Sequence, residues 1–69
     1  MTESRQRALQ LDGALTALEA EHPRAAHVVG LHLFAGLPLA SVGEVLGVAR
    51  RIVDRDWRYA RAFLISHLD

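Results

Sequence analysis

Apolar positions recur at helical spacing in four segments of the chain, and no stretch alternates apolar with polar residues as a half-buried strand does. At 100° per residue, Leu11, Leu15 and Leu18 share one stripe with Ala8 and Ala14 beside them, which predicts a first helix from about Ser4 to Ala20. Gly13 weakens that helix by ~1 kcal/mol relative to alanine. Pro23 suits a first helical position, where its missing N–H would be unpaired anyway, and opens a second helix running to about Ala35. Ala25, Val28, Val29, Leu31, Leu33 and Phe34 make this segment apolar nearly all round, the pattern of a central, buried helix. Gly36 suits a left-handed cap at its end.

Pro38 breaks any continuation, and a short third helix follows from about Leu39 to Leu46, with Val42 and Val45 between. Ser41 and Glu44 have capping-box spacing, so a later start stays open. Gly47 and Val48 then lead into a last helix, about Arg50 to Leu68. Gly43 is small where two helices would cross, and Gly47, four residues on, makes a positive φ cheap in the turn. This is helix-turn-helix grammar in an all-α, four-helix domain.

Sixty-nine residues bound the chain to a single domain, 1–69, and 51% apolar content supports a packed core. The absence of cysteine removes any disulfide framework or thiolate metal site. No apolar run approaches the ~18 residues of a membrane span and no secretory signal opens the chain, so a cytoplasmic location and no membrane partner are expected. Eight arginines balance eight acids, and there is no lysine. The balance is uneven: residues 1–48 hold three arginines against five acids, whereas residues 49–69 hold five against three.

That basic third carries the candidate chemistry. With Val53 at zero, Trp57, Ala60 and Leu64 lie within about 40°, which defines the buried stripe of the last helix. Arg51, Arg55 and Arg58 lie opposite, at about 160°, 200° and 140°, with Arg50 and Arg61 flanking them. Guanidinium groups on such a face take guanine edges or hold phosphates when a helix enters the DNA major groove. A merely solvated face would have the same spacing; the glycine turn and core stripe favour DNA.

From Pro23 to Leu64 the chain resembles region 4 of bacterial extracytoplasmic-function (ECF) sigma factors. It is most similar to the ECF-like subgroup whose last helix carries an Arg-Asp-Trp-Arg-x-Ala-Arg-Ala run, matched here by Arg55, Asp56, Trp57, Arg58, Ala60, Arg61 and Ala62. Gly47, Val48, Arg51, Val53 and Leu64 match around it, and Pro23-Arg24, Val28-Val29, Leu31, Phe34, Gly36-Leu37 and Glu44-Val45-Leu46 upstream. Residues 22–69 form the best-matching part, and the helix within 1–21 fits less specifically. The resemblance implies that the last helix reads a promoter −35 element in double-stranded DNA, that the domain docks on the RNA polymerase β-subunit flap, and that an anti-sigma protein covers these surfaces in many relatives. Within that frame Arg50 is assigned to phosphate near the helix start, Arg51 and Arg55 to base edges, and Arg58 and Arg61 to the DNA backbone. Region 2, which melts promoters in sigma factors, has no room in this length. The chain is therefore expected to be either an excised domain or a free-standing region-4-like protein.

Several positions depart from the family pattern. His22, Pro38 and Ala49 stand where helix N-caps are usual, each worth ~1 kcal/mol. Gly30 and His32 replace a usual glutamate and arginine, and Ile52 and Asp54 replace threonine and lysine on the DNA face. Asp54 is expected to pair with Arg58 or Arg51 and to weaken phosphate contact. The alternative function is therefore a protein-interaction module that keeps the fold with weakened DNA binding. Ile52, Tyr59 and Phe63, near 260° on the same count, would then form a partner surface for a homodimer, an anti-sigma protein or polymerase; the commoner outcome for such a stripe is packing on the first helix.

Enzymatic and metal chemistry have little support. There is no cysteine nucleophile, phosphate loop or carboxylate pair near a histidine, and Ser41 and Ser66 lack a visible base. His22, His27 and His32 recur every five residues, which on a helix turns successive side chains about 140° apart. No cofactor is expected, and His32 is read as a partly buried neutral imidazole.

Overall fold

The computed structural model describes the backbone of residues 2–68 and the side chains at positions 5, 6 and 9–67. Among the described residues the elements are α1 (Thr2–Glu21), α2 (Pro23–Val29), a π-helical turn (Gly30–Phe34), α3 (Leu39–Leu46) and α4 (Arg50–Leu68). The stripe predicted for α1 is the one that packs: Ala14 and Leu18 are buried and Leu11 and Leu15 half-buried. The side chain of Ala8 lies outside the described set.

Two hydrophobic clusters hold the helices together, and α2 feeds both. Val29 joins Ala14, Leu18, Ala25, Ala60 and Leu64 where α1, α2 and α4 meet. Its neighbour Val28 joins Val42 and Val53, which ties α2 to α3 and α4. Trp57 packs against both clusters, so one indole on α4 links the two halves of the core.

The predicted second helix does not continue unchanged to Ala35. At Gly30 the bonding widens, with the Ala35 N–H donating to the Gly30 carbonyl at 3.1 Å and Leu37 N–H to Leu31 at 3.0 Å. A π turn holds an extra residue per turn, so the α-helical stripe does not run through it unchanged. Leu33 and Phe34, read as core from an all-round apolar pattern, are 53% and 65% exposed. Gly36 does take a positive φ of 73°. His32 fastens this turn: its Nδ1 lies 2.7 Å from the Leu37 carbonyl, which can only accept, so Nδ1 carries the proton and donates. The same ring meets the Trp57 indole edge-on, with centroids 4.8 Å apart and planes at 81°.

The first missing cap is in fact present. His22 is the N-cap of α2, its Nδ1 accepting from the Ala25 N–H at a long 3.4 Å. Imidazole thus does the work that carboxylate or hydroxyl does at other N-caps. Pro38 precedes α3 in extended conformation without a side-chain cap bond, so the Ser41 start is not the one adopted.

Candidate nucleic-acid interface

The turn between α3 and α4 sets the geometry of the site. Gly47 takes φ 69°, and the Gly43 carbonyl accepts the N–H groups of both Gly47 and Val48, the latter at 3.0 Å. A Cβ on Gly43 would stand 3.0 Å from the Val48 carbonyl oxygen and 3.4 Å from Val53 Cγ2, so glycine here lets the turn and α4 approach α3 closely. Val53 is fully buried beside Val42, and α4 is thereby fixed against α3.

With Val53, Ala60 and Leu64 buried, α4 turns Arg51, Arg55 and Arg58 outward, all three exposed. They line one surface groove together with Ile52. Among the described residues, none of the three forms a salt bridge, and neither does the exposed Arg61. Unpaired cations on one face raise a local positive potential even though the net charge is zero.

Arg50 is placed differently. It lies with Ala40, Gly43, Glu44, Gly47 and Val48 around a separate recess at the turn. Its Nε donates to Asp54 Oδ1 at 2.9 Å. Asp54 thus neutralises Arg50, one turn earlier, rather than Arg58 or Arg51, and the groove arginines stay unpaired.

The stripe of Ile52, Tyr59 and Phe63 also divides. Phe63 is half-buried against the α1–α2–α4 cluster, as the commoner outcome for that stripe anticipates. Tyr59 is exposed and begins a ladder of rings, 5.1 Å from His22 and 6.1 Å from Phe63, which in turn stacks on His67 at 4.5 Å and 17°. Ile52 belongs to the arginine groove instead.

Helical periodicity does not reveal the ion pair next to this ladder. Asp56 is the buried charged residue of the described core, 1% exposed. Arg24 Nε donates to its Oδ2 at 2.5 Å and Nη2 to its Oδ1 at 3.4 Å, while His22 Nε2 stands 3.7 Å from Oδ1. The hydrogen bond it donates to Asp56, and then the charge of that carboxylate, raise the Arg24 guanidinium pKa above its ordinary value. The pair locks the start of α2 to the middle of α4.

These features define a helix-turn-helix domain of the sigma region 4 type. The family model for ECF sigma factors matches residues 1–69. The chain belongs to the ECF sigma factor family, proteins of transcription initiation that work with RNA polymerase and promoter DNA. No curated protein and no solved structure matches the chain.

Proposed function

We propose that residues 1–69 act as one region-4 unit in which α4 is the recognition helix for a −35-type promoter element. The observation that carries this is the outward row of Arg51, Arg55 and Arg58, unpaired among the described residues, on a helix whose opposite face is core. Residues near the start of a recognition helix reach base edges, so Arg51 and Arg55 take guanines in bidentate fashion. Arg58 and Arg61, farther along, hold the sugar-phosphate backbone. Arg50 reaches phosphate only by exchanging Asp54 for it, which makes its share smaller. The protein works in the cytoplasm as a binding domain and not as an enzyme.

Docking on the RNA polymerase β flap is supported by apolar side chains left outside the core. Leu33 and Phe34 on the π turn and Val45 on α3 are all more than half exposed, on elements that touch one another. A second reading, a protein-interaction module, is supported by the His22–Tyr59–Phe63–His67 ladder, a surface for an anti-sigma protein or a second copy. Light scattering tests the second copy: a dimer that Phe63→Glu dissociates supports it, and a monomer at every concentration excludes it.

Fluorescence anisotropy on random-sequence duplexes across a salt series tests the main reading. Affinity should fall steeply with salt, because each phosphate neutralised releases counterions. No complex at low salt would leave the interaction module as the function.

A further inference from the structure

Ile52 is an anomaly on α4. It is half-buried, yet it is a member of neither hydrophobic cluster, nor among the partly buried residues packed on them. Its apolar surface instead forms part of the groove walled by Arg51, Arg55 and Arg58. It sits in the first turn of α4, where its N–H bonds the Ala49 carbonyl at 3.0 Å. A β-branched side chain in a helix keeps essentially one χ1 rotamer, so its methyl groups are presented to the groove in a fixed direction.

An isoleucine has nothing to offer a phosphate. Among the base edges of unmodified DNA in the major groove, the apolar feature is the 5-methyl group of thymine; the other groups there are hydrogen-bond donors and acceptors. The two charged neighbours whose side chains could repel or distract the contact are accounted for. Asp54 is held by Arg50 on the turn side, and Asp56 is buried with Arg24.

We propose that Ile52 is a specificity-determining residue that reads the methyl group of a thymine lying beside the guanine taken by Arg51. The proposal rests on α4 being the recognition helix and names what that helix prefers. The site then combines guanine edges, read by arginine, with one thymine methyl, read by isoleucine. Isoleucine adds a selectivity for thymine that arginine contacts to guanine edges and to phosphate do not supply.

The test starts from duplexes selected by the chain from a randomised pool. Each thymine of the selected duplex is replaced in turn by deoxyuridine, which removes only the 5-methyl group and keeps the base pair. At one position the wild-type chain should lose about fourfold in affinity, the value of one buried methyl. Ile52→Ala should bind the parent duplex about fourfold more weakly and no longer distinguish thymine from deoxyuridine there. Because Ile52 lies outside both clusters, the variant is expected to keep its helicity, and the deoxyuridine series on the wild-type chain stands even if it does not. Equal binding of every deoxyuridine duplex by the wild-type chain would overturn the assignment of Ile52 while leaving the recognition helix intact. Failure to select any sequence would overturn both.

Discussion

Arg24 on α2 and Asp56 on α4, thirty-two residues apart, form an ion pair in which one partner is buried and the other is not. The carboxylate is 1% exposed and the guanidinium side chain 42%. The two deletions are therefore unequal. Arg24→Ala strands a buried charge with only the distant His22 for company, whereas Asp56→Asn keeps an acceptor for Arg24 and loses only charge assistance, ~1 kcal/mol. Urea denaturation should show a lower midpoint for Arg24→Ala than for Asp56→Asn. The reverse order would mean that Asp56 is solvated. Since the Arg24 pKa is raised on folding, its contribution is complete below the unfolded value and fades only in strong alkali.

Glycine substitutions should separate by position. Gly47→Ala forces a side chain into a left-handed φ of 69° and should cost ~1–2 kcal/mol. Gly43→Ala drives a Cβ to 3.0 Å from the Val48 carbonyl and should cost ~1–3 kcal/mol. Gly13, mid-helix with nothing within 4 Å of an added Cβ, should instead gain ~0.5–1 kcal/mol on mutation to alanine. Thermal unfolding followed by circular dichroism ranks the three.

Much of this fold was legible in residue spacing. The bounds of α3 and α4, the positive φ at Gly36 and Gly47, and the core stripe of Val53, Ala60 and Leu64 follow from periodicity and glycine chemistry. The π turn was not legible, because hydrophobic pattern fixes which residues are apolar and not whether the backbone bonds four or five residues back. Leu33 and Phe34 lie within that turn and are exposed. Asp56 offered a signal: at about 300° on α4 it lies next to the buried stripe, where a carboxylate needs a partner. Arg24 could not be named as that partner without the crossing of α2 and α4. Asp54 had three arginines within reach along its own helix, and spacing alone does not choose Arg50 among them.

Trp57, the single tryptophan of the chain, reports on the π turn through His32. His32→Ala removes the bond to the Leu37 carbonyl and the edge-on ring contact, and should cost ~1–2 kcal/mol. Trp57 emission should shift to the red as water reaches the indole. Unchanged emission would mean that the imidazole does not shield it.

The arginine row itself is the most direct point of attack. Arg51→Ala combined with Arg55→Ala removes two groove cations that touch no core cluster, so helicity should be retained. Each bidentate base contact is worth ~1–3 kcal/mol, so the pair should lower affinity for a selected duplex by well over tenfold. Anisotropy of that duplex, titrated with wild-type and doubly substituted chains of equal helicity, is the decisive measurement: near-complete loss of binding is the expected result, and undiminished binding would show that α4 does not meet DNA through these side chains.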